Sequence, residues 1–374
     1  MGGLAAYATG NDSEYAKREH PEHATLHQNP YRIDCYRIMT CPAFSKLTNK
    51  SQLWWDIMNP EIRTRLTHTL GVALIARTIA RSLKLSEDLS EAIALGHDLG
   101  HMPFGHASEI ALEGILDKGF RHEEQSVRIL KYIDKTNSTM ATLEGIAKHS
   151  TGKRGLNDPH IHLTNESKVV LLSDKIDNDV HDFSDLQKLK VSNWKKLPQD
   201  ALAVFEVTVD DLTQNPRQAF ERMRDRIISS IIRHSEVSAD GKTLTIKAGE
   251  NIQEAQQELH NFIYSLHDSD KDFGGRNEKA LWVVETLYNH FKMNPNTLRT
   301  TDLQKSLKTA TREGYKRYLE ETNFDTQFCD AFCNMNDAIA IEICKDLAPM
   351  TAFKYFAKAR IKVRHQAKGE HKSE

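Results

Sequence analysis

The sequence predicts an all-α protein, and three observations carry that expectation. Val, Ile and Thr rarely alternate with polar residues over strand lengths, whereas apolar positions recur with helical periodicity. Caps and breakers fall where the strongest periodic stretches begin and end. The 374 residues are 39% hydrophobic and 27% charged, an ordinary globular composition with ample length to bury a core.

Three helices matter most. The first is expected from about Arg63 to Leu83, because His68, Val72, Ile75 and Ile79 share one helical stripe. The second begins near Ser86, an N-cap followed by acids in the first turn. Its stripe of Leu89, Ile93, Gly96 and His97 runs into Gly100 and Pro103, which should end it. The third covers roughly Glu166 to Phe183, with an apolar run from Val169 to Leu172 and then Asp174, Asn178 and Asp182 at successive i,i+4 positions. Only Leu202–Val209 and Thr243–Lys247 look strand-like, the second after the turn-forming Asp240-Gly241. A small β-hairpin in the 200–250 region is therefore the one β element expected. Residues 184–260 read as a more polar helical region, and further amphipathic helices follow from Glu278 to Ala357. The basic stretch 358–374 reads as a frayed tail, with an arm for anionic ligands as the alternative. With no repeat and no low-complexity linker, residues 1–374 read as a single α-helical unit.

The formal net charge of −2 demands neither a nucleic-acid nor a membrane partner. Cys35, Cys41, Cys329, Cys333 and Cys344 form an odd, sparse set without CxxC spacing, which fits a reducing cytoplasm better than a disulfide framework. Cys329 and Cys333, at i,i+4, read as buried thiols before they read as a metal site. MGGLAAYATG lacks the basic and apolar regions of a signal peptide, and Ala6 stands where a myristoylation motif wants Ser or Thr. The longest apolar runs, such as Val72–Ala76, fall far short of the roughly 20 residues of a spanning helix.

His97-Asp98 alone is a weak signal, since such dipeptides arise by chance. His97 and His68, however, both lie on apolar stripes, and a buried histidine must satisfy both ring nitrogens. Taken singly, either reads more readily as a hydrogen-bonded core histidine. Asp174 emerges from the buried run Val-Val-Leu-Leu-Ser, and a buried carboxylate needs a cation. Two imidazoles and two carboxylates from three packed helices would all be satisfied by one shared divalent metal. That donor set suits Mn²⁺, Fe²⁺, Zn²⁺ or Ni²⁺ and leaves positions for water and a phosphate oxygen. A small zinc site from His97 and His101, at i,i+4, is a competing reading.

The stretches RTRLTHTLGVALIAR, EAIALGHDLGHMPFGHASE and SDKIDNDVHD resemble the H…HD…D signature of the HD superfamily. More narrowly, they resemble bacterial dGTPase-like deoxynucleoside triphosphate triphosphohydrolases, and HDLGHxPFGHA is the specific block. GLAAYA and YRIMTCPAFSKLTNKSQL upstream, and GFRHEEQSVRIL and TLEGIAKHSTG downstream, extend the match. EKALWVVETLYNH and DLAPMTA are weaker echoes, and the match is thin from about 184 to 275. The resemblance implies an HD-domain helical fold with its core at about 60–185 and a C-terminal helical region at about 186–357.

The same resemblance implies His68, His97, Asp98 and Asp174 as metal ligands, with Mn²⁺, Mg²⁺ or Fe²⁺ as the metal. It makes His106 the catalytic histidine and Glu109 its carboxylate partner; a carboxylate three residues away can orient and charge an imidazole. An exposed loop histidine is the bland alternative. His101 and His122 match histidines in or beside the active site. Arg65 and Lys175 match triphosphate contacts, with ordinary solvated charges as the alternative. Gln52 and Asp182 match groups on the deoxyribose. Two positions depart from the family: Asn178 stands where a Tyr stacks under the sugar, and Ala352 replaces an Asp.

The expected activity is hydrolysis of a (deoxy)nucleoside triphosphate at the α-phosphorus, giving nucleoside and tripolyphosphate. Relatives assemble as hexamers or tetramers, often with regulatory nucleotides between subunits, so a homo-oligomer with a nucleotide effector is implied. Two rivals stand beside this reading. One is an HD phosphohydrolase acting on another nucleotide, a 5′-nucleotidase or phosphodiesterase, kept open by Asn178. The other is a nucleotide sensor or single-stranded nucleic-acid binder using the basic tail and Trp54-Trp55.

Overall fold

The computed structural model describes residues 3–22, 29–55, 59–150, 164–191, 193–269, 271–299 and 312–349. Their regular structure is helical apart from one two-stranded antiparallel ladder. Two compact units emerge: Met1–His101 with Arg121–Gly274, and Met102–Phe120 with Gly275–Glu374. The basic tail and Ala352 lie outside the described residues.

The first unit opens with α1 (Pro30–Thr40), α2 (Pro42–Lys46), α3 (Arg65–Ser82) and α4 (Glu87–Gly96). In the second unit α5 spans His106–Ile115. The first unit continues with α6 (His122–Arg128), α7 (Met140–Ala147), α8 (Asn165–Lys188), α9 (Gln199–Val204), α10 (Val209–Gln214) and α11 (Pro216–His234). After β1 (Glu236–Val237) and β2 (Leu244–Thr245) comes α12 (Glu250–Ser269). Beyond it lie α13 (Lys271–Met293), α14 (Pro295–Arg299) and the helices Arg312–Glu321, Phe324–Phe332 and Asp337–Leu347.

The three expected helices are present. A capping box starts α3, in which the Thr64 side chain takes the Thr67 amide and the Thr67 side chain takes the Thr64 amide. Ser86 caps α4 by accepting from the Leu89 amide, and Glu87 and Asp88 sit in the first turn, where the helix dipole favours anions. Thr164 caps α8, which runs five residues past Phe183 to Lys188. Val72, Ile75 and Ile79 of α3, Leu89 and Ile93 of α4, and Val169, Val170 and Phe183 of α8 are buried together. Full burial of each such side chain contributes about 1.5–3 kcal/mol. This core holds the polar ends of the three helices at fixed separation.

The strand-like reading of Leu202–Val209 is overturned. These residues belong to two short helices joined by a turn in which Glu206 adopts φ 58°. Leu202, Phe205 and Val207 are buried, so their apolar pattern reflects a packed corner. Thr208 then opens α10 with a capping box to Asp211. The second candidate strand pairs as expected, Glu236 with Thr245 and Val237 with Leu244. All five cysteines are buried thiols outside any disulfide. No helix among the described residues is long and apolar enough to cross a membrane.

In the second unit an aromatic cluster links α13 to the C-terminal helices. The Tyr288 and Phe328 rings meet edge to face at 5.2 Å, and Phe328 and Phe332 stack at 5.4 Å. Tyr288 donates its hydroxyl to Asp325 at 2.8 Å.

Candidate metal centre

The amino-terminal half of α3 supplies Arg65 and His68, the end of α4 supplies His97 and Asp98, and the middle of α8 supplies Asp174. The structure brings all four expected ligands together. His68 Nε2 lies 3.0 Å from Asp174 Oδ1, 3.2 Å from His97 Nε2 and 3.6 Å from Asp98 Oδ2. His97 Nε2 lies 3.4 Å from Asp98 Oδ1 and 3.7 Å from Asp174 Oδ1.

Both imidazoles are held in one orientation, with Nε2 turned inward. His97 Nδ1 donates to the Ala94 carbonyl at 2.6 Å, and His68 Nδ1 meets Asp177 Oδ2 at 2.7 Å. Asp177 is in turn paired with Arg63. A ring nitrogen fixed by an outer carboxylate or carbonyl is the usual support of a ligating histidine. Gly71 on α3 makes room for it, since a Cβ there would collide with the Asp177 carboxylate.

Burial drives the His97 imidazolium down and the Asp98 and Asp174 carboxyls up, yet mutual attraction wins at all three. His97 is held at about 9 by the two carboxylates. Asp98, beside His97, His101 and Arg65, and Asp174, bonded to His68 and His97, lie well below the usual carboxylate range. Buried anions that hold protons on facing imidazoles mark a place where a cation can replace those protons. The donors therefore fit a divalent metal, whose binding would release them.

Arg65 is buried and donates to Asp98 Oδ2 at 2.6 Å and to the Gln52 carbonyl at 3.4 Å. Gln52 donates to Asn178 Oδ1 at 3.0 Å, and Asn178 donates to Asp174 Oδ1 at 2.8 Å. Asn178 thus ties the Gln52 side chain to Asp174. Lys175 is half-exposed and donates to Gln257 at 3.3 Å. Asp182 is buried 3.8 Å from Arg63, and burial, opposed by Arg63 and reinforced by Asp185, raises its carboxyl to about 7.

His101 Nε2 lies 3.2 Å from Asp98 Oδ1, and the His101 and His122 rings stack with centroids 3.8 Å apart. Gly100 permits this approach, because a Cβ there would strike the His122 carbonyl and the Ser126 amide. Its own amide donates to Ser126 Oγ at 2.8 Å, which donates to the His97 carbonyl at 2.8 Å.

His106 and Glu109 belong to the second unit. Phe104, at φ 66°, and Gly105, at φ 55°, form the turn into α5, and Asp337 accepts from the Phe104 amide at 3.0 Å. A non-glycine residue held there is locally strained. His106 Nδ1 meets Glu109 Oε2 at 3.0 Å, with the imidazole largely exposed.

Sequence reasoning gave no role to Asp177, Arg63 or His149. Asp177 and Arg63 sit inside the quoted blocks SDKIDNDVHD and RTRLTH, three residues after Asp174 and five before His68. His149 sits in TLEGIAKHSTG, and its ring meets the His97 ring at 5.0 Å.

A family model for the HD domain matches residues 65–179, a span that contains His68, His97, Asp98 and Asp174. The chain is 35% identical over 295 residues to a deoxyguanosinetriphosphate triphosphohydrolase-like protein of Caldanaerobacter subterraneus, covering 78% of this chain and 80% of that protein. It is 31% identical over 334 residues to a protein of the same description from Desulfatibacillum aliphaticivorans, covering 87% and 89% of the two chains. A third, from Clostridium tetani, is 30% identical over 311 residues, covering 82% of each chain. With its HD block matched and most of its length shared with these proteins, the chain belongs to the deoxyguanosinetriphosphate triphosphohydrolase-like family of HD-domain proteins.

Proposed function

We propose that this protein hydrolyses a (deoxy)nucleoside triphosphate at the α-phosphorus, releasing nucleoside and tripolyphosphate. The observation that carries the reading is the cluster of buried His68, His97 and Asp98 with half-buried Asp174, and the Arg65 guanidinium on its edge. A divalent metal held there supplies Lewis-acid polarisation of a phosphoryl oxygen. In the reaction water adds to the α-phosphorus, the bond to the 5′ oxygen breaks, and that oxygen leaves as the nucleoside hydroxyl.

Arg65 and Lys175 offset the charge of the departing triphosphate, Arg65 as the better-aligned donor because Asp98 fixes its guanidinium. His106, oriented by Glu109, is the proton-transfer group, acting on the water or on the 5′ oxygen. Gln52, braced by Asn178, and Asp182 are assigned to the sugar. His101 and His122 line the phosphate side of Asp98. Mn²⁺, Mg²⁺ or Fe²⁺ is the metal assigned, and a homo-oligomer with a nucleotide effector is the assembly.

Incubation with each dNTP and rNTP plus Mn²⁺ or Mg²⁺, with products resolved by ion exchange, tests the proposal. Tripolyphosphate with a nucleoside is the expected result, and no turnover by metal-loaded protein would sink it. Asn178 favours a second reading, hydrolysis of another nucleotide phosphate. Its hydrogen bond to Asp174 leaves no aromatic at that position to stack under a deoxyribose. Release of inorganic phosphate would support that reading.

A further inference from the structure

Within the first unit, α8 and α11 pack together and leave a cleft of about 490 Å³ between them. Two helical faces line it. From α8 come His181, Ser184 and Lys188 at i, i+3 and i+7, and from α11 come Arg217, Phe220 and Arg224 at the same spacing. Phe220 adds an aromatic surface, its ring held edge to face against buried Phe183 at 5.8 Å. Glu221 is the one carboxylate among the described lining residues.

This lining holds a surplus of donors. Ser173, earlier in α8, returns its hydroxyl to the Val169 carbonyl at 2.8 Å, a common resting bond for a helical serine. Ser184 is half-buried and makes no such bond within the described residues. Lys188 donates to Asp185 at 2.8 Å and to the Glu61 carbonyl at 3.0 Å, which leaves one of its three ammonium donors. Arg217 spends only Nε, on Glu221 at 3.1 Å. Arg224 spends Nε and Nη2 on a single oxygen of Asp225, at 3.3 and 3.2 Å. Such pairs within one exposed helix face hold little, so both guanidinium groups can turn to a better acceptor. Ordinary surface charge explains the arginines alone; it gives no reason for an uncommitted serine and an imidazole to join them in a cleft.

His181 connects this cleft to the His68 cluster. Its Nδ1 lies 3.0 Å from Asp177 Oδ1 and 3.2 Å from the Asp177 carbonyl oxygen, so Nε2, across the ring, is left to the cleft. Asp177 is the carboxylate that meets His68 Nδ1. Two side chains therefore link the cleft to His68.

We propose that the α8–α11 cleft binds a tetrahedral oxyanion of the phosphate class, as the free ion or as a phosphate monoester. Arg217, Arg224 and Lys188 supply charge and Ser184 a hydroxyl donor. His181 Nε2 becomes a further donor when its ring carries both protons, a form that a neighbouring anion favours. The Nδ1–H of that ring draws more charge from Asp177 and leaves less for His68. Occupancy of the cleft thus loosens a divalent cation held by His68. This last step rests on the reading of the His68 cluster as a cation site, whereas the anion site does not.

Calorimetric titration of the metal-free full chain with inorganic phosphate, and separately with phenyl phosphate, tests the site. Arg217→Ala combined with Arg224→Ala is expected to weaken binding about 10-fold or more, the effect of losing one charged hydrogen bond. Lys175→Ala, beside the metal cluster, is expected to leave it unchanged. Tighter binding of phenyl phosphate would support an organic phosphate resting on Phe220, and equal binding the free ion. No phosphate binding, or binding lost in Lys175→Ala and kept in the double arginine variant, would overturn the site. Phosphate should also weaken Mn²⁺ binding by up to about 10-fold, with free Mn²⁺ read by EPR, and less so in the double arginine variant. Phosphate binding with Mn²⁺ affinity equally affected in both proteins would overturn the link through His181. No Mn²⁺ binding at all would overturn the reading of the His68 cluster and leave the anion site standing.

Discussion

The His68–His97–Asp98–Asp174 cluster and the His106–Glu109 pair pose two opposite problems in histidine chemistry. The cluster is carried by three long helices whose apolar stripes pack together, and His68 and His97 are fully buried. Each ring is fixed by a bond on its outer nitrogen. His106 stands on the strained Phe104–Gly105 turn with about 60% of its side chain exposed and Glu109 as a carboxylate partner. Holding a cation requires buried, converging lone pairs and counter-charge, whereas moving a proton requires access to water and a single orienting acid.

That contrast breaks first at Asp98. Asp98→Ala removes a metal ligand and leaves the buried Arg65 without its carboxylate, so loss of metal and about 3–5 kcal/mol of stability is expected. Retained metal together with a wild-type denaturation midpoint would show that Asp98 does not tie the two together. His106→Ala is the opposite case. Turnover should fall about 10²- to 10⁴-fold while metal content stays that of the wild type. If the metal is lost as well, the division between binding and proton transfer is wrong.

Asp177→Asn sharpens the comparison by weakening the support of His68, together with its pairing to Arg63. Metal affinity should fall about 10- to 100-fold, as expected for outer partners of ligating histidines. Equilibrium dialysis reads it, and unchanged affinity would mean that His68 is oriented by packing alone.

The last comparison is one of pH. The Asp182 carboxyl sits at about 7 in the fold, against roughly 3.9 in an unfolded chain. Between those values the native state keeps a proton that the unfolded state has released, so stability falls as pH rises through the window and levels off above it. Asp182→Asn should remove that decline, measured as denaturation midpoints at pH 5 and pH 8. An unchanged slope in the variant would assign the decline to other groups.

The parts of this molecule that follow simple rules were legible in its sequence. The α3, α4 and α8 stripes and the Ser86 cap declared themselves through helical spacing, whereas the expected ligands His68, His97, Asp98 and Asp174 emerged from charge on apolar faces together with the family resemblance. Leu202–Val209 misled because a packed corner between two short helices carries the same alternation as a strand. Asp177 and His149 were hidden for another reason. Their roles depend on which face of α8, and which residue beyond α7, meets His68, His97 and His122, and that is decided by close approaches at Gly71, Gly96 and Gly100. Such contacts link residues far apart in the chain, and no local period announces them.

The buried thiols have a practical consequence. Cys35 and Cys41 lie in the first unit, while Cys329, Cys333 and Cys344 lie in the second. Burial raises the thiols of Cys41 and Cys344 to about 12 and about 11, and pushes Cys35 up as well, so the folded chain presents little thiolate to an electrophile. Alkylation must therefore wait for local opening. Its rate at each cysteine, followed by mass spectrometry, becomes a clock for how often each unit unfolds, readable without adding a label or changing a residue.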